Sequence, residues 1–242
     1  MTQDEAKRLV ARRAAEFVKD GMVVGLGTGT TATIFIRELA ARKLNIRCVA
    51  SSDASHDLGL SLGMRVETLA ELPGLDLYID GADEVCETLA PPGKDWFDLG
   101  VVRAVKSLDL IKGGGGALLR EKIVASAAKE FIVVADSTKL VEVLGKFPLP
   151  VEVIKMALPL VEPKLAALGL NPTLRKSKSG DGPYLTDEGN YILDCACGRI
   201  DEPEVTAAEI RGVVGVVEHG LFLGMATLAL IAGEDGVREY RA

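Results

Sequence analysis

The amino-acid sequence predicts an α/β fold: a parallel sheet covered by helices on both faces, with a smaller α+β domain late in the chain. Three observations carry this. Short apolar runs without polar alternation recur through the first half of the chain, as expected of strands buried on both faces. Segments with helical spacing of apolar residues alternate with them, and that alternation produces parallel sheets. After Lys146-Phe147-Pro148-Leu149-Pro150 the rhythm changes to short strands separated by helices and polar Gly/Ser loops, the texture of a small α+β unit.

Taken in order, Thr2-Gln3-Asp4-Glu5 is a capping box, and Ala6, Leu9, Val10, Ala14, Phe17 and Val18 continue it with helical spacing to about Lys19. Met22 to Leu26 reads as the first buried strand, and Ala32 to Ala41 as a helix. Ile46 to Ala50 is a second strand, followed by Ser51-Ser52-Asp53-Ala54-Ser55 and a further helix. Leu75 to Ile79 is a third, ending in Asp80-Gly81-Ala82-Asp83-Glu84. A helix over 117–129 precedes a fourth strand, Phe131 to Ala135, which ends in Asp136-Ser137-Thr138-Lys139. Val151 to Ile154, Tyr191 to Asp194 and Gly212 to Val217 read as strands of the second unit. Leu158 to Leu168 and Glu202 to Ile210 read as its helices. Leu228 to Ile231 returns to the first sheet.

Composition excludes several classes of function. At 48% apolar and 26% charged residues the chain has ordinary globular composition. A net charge of −7 without a Lys/Arg run argues against nucleic acid and anionic membrane as partners. Cys48, Cys86, Cys195 and Cys197 are too few and too irregular for a disulfide framework, which suits a reducing compartment, and no apolar run approaches membrane-spanning length. The acidic, polar start of the chain does not resemble a signal peptide, so a cytoplasmic protein is expected.

The chemistry concentrates where strands end. In open α/β sheets ligands bind outside the carboxyl ends of the strands, so the polar clusters there should converge on one crevice. Ile111-Lys112-Gly113-Gly114-Gly115-Gly116 runs straight into a helix, presenting unscreened amides and a helix dipole to an anion or a developing oxyanion. Lys112 adds a cation at its entrance. Glu121 shares a helix face with Ala117 and Val124, so its carboxylate should be partly desolvated and its pKa raised toward the range of a general base. Gly25-Leu26-Gly27-Thr28-Gly29-Thr30 lacks the third glycine of a dinucleotide fingerprint and the lysine of a P-loop. Its threonines at a helix start suit a terminal phosphate monoester. Asp80 and Asp83 fit hydrogen bonding to sugar hydroxyls, and equally Mg²⁺ ligation or N-capping. Lys139 brings a further cation to the same mouth.

These motifs resemble one family. Gly-Thr-Gly-Thr-Thr at 27–31, Ser-Ser-Asp-Ala-Ser at 51–55, Asp-Gly-Ala-Asp-Glu at 80–84, Lys-Gly-Gly-Gly at 112–115, Arg-Glu-Lys at 120–122, Asp-Ser-Thr-Lys at 136–139 and Gly-Lys-Phe-Pro-Leu-Pro-Val-Glu-Val at 145–153 are similar to those of the type A ribose-5-phosphate isomerases. The resemblance implies interconversion of D-ribose 5-phosphate and D-ribulose 5-phosphate in the non-oxidative pentose phosphate pathway, with no metal or other cofactor. It implies a Rossmann-like catalytic domain (1–144 plus 220–242) with an inserted ferredoxin-like domain (145–219), assembled as a homodimer or homotetramer. Carried over by position, Glu121 is the proton acceptor. Lys112 with Gly113, Gly114 and Gly115 holds the oxyanion. Asp80 helps open the sugar ring, and Gly81, Ala82 and Asp83 bind beside it. Thr28, Gly29, Thr30 and Thr31 hold substrate, chiefly its phosphate, with Lys139 and, less firmly, Lys7.

Residues 85–111 look longer than the corresponding connection in the family, with Val101 to Leu108 a candidate short helix and the whole a surface excursion, a lid or an oligomer contact. Two rival functions remain open. One is a sugar-phosphate sensor of the kind fused to transcriptional regulators, which binds without turnover. The other is acyl-CoA transfer through a glutamate nucleophile, against which the threonine loop and the Asp80/Asp83 pair speak.

Overall fold

The computed structural model describes residues 1–90 and 105–242. Its largest element is a seven-stranded sheet of order β14-β13-β7-β4-β1-β2-β3. These strands are β1 (Val23–Leu26), β2 (Arg47–Ala50), β3 (Val66–Glu67), β4 (Leu75–Gly81), β7 (Ala128–Asp136), β13 (Leu228–Gly233) and β14 (Gly236–Arg241). All neighbours are parallel except the edge strand β14, which pairs antiparallel with β13. The predicted α/β class and the return of the chain at Leu228 to the first sheet both hold.

Side chains alternate across most of this sheet. Leu77, Ile79, Ile132, Val134, Leu228 and Leu230 face one core, which is closed by helices α1 (Gln3–Ala15) and α2 (Thr30–Ala41). The capping box at Thr2 forms, but the first helix ends at Ala15, and Phe17 and Val18 continue as turns rather than helix. A third helix, α3 (Asp53–Ser61), follows β2 and is capped by Ser52. Tyr78, Phe131, Val133, Ala229 and Ile231 face the opposite core. There the cover is only partly helical: Val124 and Ala125 of α4 (Leu118–Ser126) share it with Val85, Leu108 and Leu110 of a β-hairpin.

That hairpin corrects the reading of residues 85–111. β5 (Glu84–Ala90) pairs antiparallel with β6 (Val105–Ile111), and β12 (Leu221–Phe222) adds a third strand. Residues 105–108 are therefore strand rather than helix, while 101–104, Trp96 and Pro91-Pro92-Gly93 lie outside the described residues. Val85, Leu108 and Leu110 are fully buried, so the base of the hairpin is core and not a surface excursion. Its other face, through Cys86 and Ile111, joins the core of a second sheet.

This second sheet, of order β11-β8-β10-β9, is antiparallel and is built from β8 (Leu149–Val153), β9 (Pro172–Leu174), β10 (Tyr191–Cys195) and β11 (Val216–His219). Its core takes in Val161 and Leu165 of α5 (Leu158–Ala167) and Ile210 of α6 (Pro203–Arg211). Residues 212–215, expected in a strand, form a turn ahead of β11. Among the described residues all four cysteines are free thiols, and Cys195 and Cys197, which mimic half a metal site in sequence, pack in this core.

Candidate active site

The carboxyl ends of β1, β4 and β7 open on a crevice of about 150 Å³. Residues 28–31, 81–83 and 112–115 line it together with Glu121 and Lys139, so the structure brings nearly every predicted site residue to one place. Lys7, Gln3 and Asp136 line it too. Asp80 is the exception. It is fully buried and is not part of the crevice wall.

Asp80 is instead the hub of a buried polar cluster. Its Oδ1 accepts the amides of Thr28 (2.8 Å) and Gly81 (2.7 Å), and its Oδ2 accepts the Tyr78 hydroxyl (2.5 Å) and the Lys112 ammonium (2.8 Å). Four donors satisfy this carboxylate, and charge-assisted bonds of this kind offset its desolvation. Gly27 is required for the approach, because a Cβ there would collide with the Asp80 carboxyl. Tyr78 escaped the sequence reading, although its position two residues before Asp80 on one strand places both side chains on the same sheet face.

Lys112 connects Asp80 to Glu121. Its ammonium also donates to the Gly81 carbonyl at 2.5 Å and lies 3.4 Å from Glu121 Oε1, with 2% of the side chain exposed. Burial alone would depress its pKa, but the adjacent Asp80 and Glu121 carboxylates outweigh that and hold it above the ordinary lysine value. Glu121 sits in the first turn of α4, 3% exposed, on a face with Ala117 and Val124. Burial pushes its pKa up to about 8; Lys112 pulls against this, and the negative charge of Asp80 and Asp83 adds to it. Its Oε2 has no hydrogen-bond partner among the described residues.

The glycine run forms a turn closed by a bond from the Gly116 amide to the Gly113 carbonyl, with φ of +104° at Gly113 and +88° at Gly116, a region that L side chains rarely enter. The Gly114 amide donates to Asp83 Oδ2 at 2.7 Å. Among the described residues the amides of Gly113 and Gly115 have no acceptor, and both residues face the crevice.

At the other end, α2 begins at Thr30 with Gly29 as its cap residue, φ +103°, and no side chain closes its first amides. Thr2 caps α1 and Ser52 caps α3, whereas the starts of α4, α5 and α6, like that of α2, have no side-chain cap. The free amides of the α2 start differ from those of the other uncapped starts in lining the crevice, where amides and helix dipole can receive an anion. The Thr28 hydroxyl does not serve it directly. It lies 2.8 Å from Ser51 Oγ and 2.9 Å from Ser52 Oγ, and this fixes the loop. Among the described residues Lys7 and Lys139 at the crevice have no ion-pair partner, leaving two cations for an incoming anion.

The model of the family described as ribose 5-phosphate isomerase A (phosphoriboisomerase A) matches residues 47–91 and 100–236. The chain belongs to this family. Ribose-5-phosphate isomerase A of Sinorhizobium fredii is 47% identical over 249 residues, covering 100% of both chains. The protein of that name from Synechococcus is 46% identical, covering 98% of this chain and 97% of its own. Among solved structures, ribose 5-phosphate isomerase A of Methanocaldococcus jannaschii superposes with a TM-score of 0.88 at 38% identity over 100% of both chains. A D-ribose-5-phosphate isomerase in complex with phospho-erythronic acid gives 0.89 at 33% over 100% of both. The isomerase A model spans both hairpin strands and, between 85 and 111, leaves only 92–99 unmatched, so 85–111 as a whole is no departure from the family. A second model, the DeoR C terminal sensor domain, matches residues 2–56.

Proposed function

We propose that this chain interconverts D-ribose 5-phosphate and D-ribulose 5-phosphate through an enediolate, as a step of the non-oxidative pentose phosphate pathway, with Glu121 as the base. The observation that carries this is the buried Oε2 of Glu121 at the crevice, which has no hydrogen-bond partner among the described residues while Oε1 of the same carboxyl lies 3.4 Å from the buried Lys112 ammonium. Glu121 takes the C2 proton of the open-chain aldose, leaving an enediolate whose charge is shared by O1 and O2. It returns that proton to C1 while the O2 hydroxyl proton passes to O1. A developing oxyanion at this position meets Lys112 and the unpaired amides of Gly113 and Gly115, a preorganised counter-charge that needs no reorientation as the charge forms.

The remaining roles follow from position. The amides opening α2, with the hydroxyls of Thr30 and Thr31, seat the phosphate, and Lys7 and Lys139 neutralise it. Asp83 faces the crevice and meets sugar hydroxyls directly. Asp80 contributes to ring opening and isomerisation through Lys112, whose charge and position it sets.

The test is conversion of ribose 5-phosphate to ribulose 5-phosphate by EDTA-treated protein. Turnover is expected, and kcat/KM should rise about tenfold per pH unit up to a plateau near the Glu121 pKa of about 8, because only the carboxylate takes the proton. A rate independent of pH through that range would remove Glu121 as the base. The sensor-domain match at residues 2–56 favours a second reading, sugar-phosphate binding without chemistry; binding with no turnover in the folded protein would establish it.

The reading extends to assembly and compartment. Ile154, Met156 (89% exposed), Leu160 and Val214 (76%), all in the second sheet's unit, expose apolar side chains. Such a surface is expected to be covered by another copy in a homodimer or homotetramer. Light scattering should give the mass of two or four chains, and a monomer would refute it. Four free thiols fit the reducing cytoplasm.

A further inference from the structure

The isomerase reading above asks four consecutive glycines to keep two amides aimed at a developing charge. Glycine has the least intrinsic resistance to backbone rotation, so the loop must be held from outside. The geometry points to Arg175, at the end of β9 in the second sheet, as the positioning residue that holds the oxyanion-binding turn in its working conformation; this inference rests on that isomerase reading.

Three contacts carry it. Arg175 Nη1 donates to the Gly113 carbonyl at 3.0 Å and to the Gly114 carbonyl at 3.3 Å. Tyr184, whose ring lies 5.8 Å from the Arg175 guanidinium, donates its hydroxyl to the Gly115 carbonyl at 3.3 Å. The three carbonyls of the turn are thus engaged by the second sheet's segment. A trans peptide is planar, with its C=O and N–H pointing in opposite directions. Anchoring the Gly114 oxygen therefore fixes the Gly115 N–H, which is one of the two unpaired amides at the crevice. Anchoring the Gly113 oxygen fixes the Gly114 N–H on Asp83, and anchoring the Gly115 oxygen fixes the Gly116 N–H that closes the turn.

Arg175 is itself held. Its Nε and Nη2 form a fork on the two carboxylate oxygens of Asp194, at 2.8 and 2.5 Å, and its amide donates to Ile192 across the strand pair. Tyr184 packs against Gly116 so closely that any Cβ there would collide with the phenol. The segment after Tyr184 is tied down in turn: Arg120 of α4 bonds Glu188 and Asp53 at 2.6 Å each, and Asp187 accepts the Asp53 amide. The second sheet thus reaches the reaction through backbone carbonyls, without touching the crevice.

The test compares wild type with Arg175→Gln and Arg175→Lys, using ribose 5-phosphate as substrate and phospho-erythronic acid as probe, since its carboxyl carbon, counted from the phosphate, takes the place of the sugar's C2 and sets a charged oxygen where O2 of the enediolate would be. Arg175→Gln is expected to lower kcat by about 10- to 100-fold, as for partial loss of an oxyanion donor, with KM changed by no more than about threefold. Phospho-erythronic acid should lose affinity in parallel with kcat, and Arg175→Lys should recover part of both. Wild-type kcat in folded Arg175→Gln would overturn the inference, as would equal weakening of substrate and probe. If Arg175→Gln does not fold, Tyr184→Phe removes only the hydroxyl on Gly115, and a several-fold fall in its kcat is expected; unchanged kcat there also overturns it. Absence of turnover in wild type would count against the isomerase reading instead.

Discussion

Glu121→Gln is expected to reduce isomerisation by about 10⁴-fold while leaving ribose 5-phosphate binding nearly intact, because the amide keeps the shape of the side chain and cannot accept the C2 proton. The same variant is expected to be more thermostable than wild type, and increasingly so as pH rises. The ordinary glutamate value of 4.5 applies to the unfolded chain, whereas in the fold burial moves it to about 8. Between those values the folded state holds a proton that the unfolded state has lost, so the wild type loses stability as pH rises through this window and levels off above it. Glutamine has no charge to bury and escapes that loss. Melting temperatures of both proteins from pH 5 to 9, about the span of the window, should diverge. Curves that stay parallel would mean that Glu121 is not desolvated. An active site built on a destabilising carboxylate is the usual exchange of stability for function.

Lys112→Met is expected to be the most damaging single change. It removes the counter-charge of the proposed oxyanion site and leaves Asp80 and Glu121, 0% and 3% exposed, without their shared cation. Breaking a buried ion pair in this way costs about 3–5 kcal/mol. Chemical denaturation should show a midpoint well below wild type, and turnover should vanish even at low temperature where the variant stays folded. A midpoint equal to that of wild type would show that the Lys112 ammonium contributes nothing to holding the two buried carboxylates in the fold. Residual turnover near wild type would remove Lys112 from the chemistry.

Much of this site was legible because its parts are local. Gly27-Thr28-Gly29, Lys112 with its glycines, and Glu121 at a helix start each announce their chemistry within a few residues, and the α/β pattern places them at one end of a sheet. What failed depended on distant partners. Helix 117–129 stops at Ser126 because Ala128 and Glu130 are claimed by β4, pairing with Leu75 and Leu77. Residues 105–108 fit helical spacing until β5 supplies a strand beside them. In that hairpin the pattern is further obscured by Asp109, a buried carboxylate that accepts Thr88, Ser107 and the Gly224 amide and so occupies a position that would ordinarily be apolar. Arg175 carries no local signal at all, since the glycine carbonyls it holds lie more than sixty residues away. Asp80 was recognised as important, but which way it faces is decided by Tyr78 and Lys112 together.

The four bonds on Asp80 also make the site a gauge of length. One carboxylate joins the Thr28 amide, at the mouth of the proposed phosphate seat, to Lys112 beside the proposed proton acceptor Glu121. The two ends of the proposed substrate site are thereby fixed to a single buried group. With the phosphate seat and base proposed above, a sugar phosphate would be measured from its phosphate inward, and the carbon arriving opposite Glu121 Oε2 would be decided by how many carbons lie between. A chain of five presents C2 there; one carbon more or fewer presents a different hydrogen to the same oxygen.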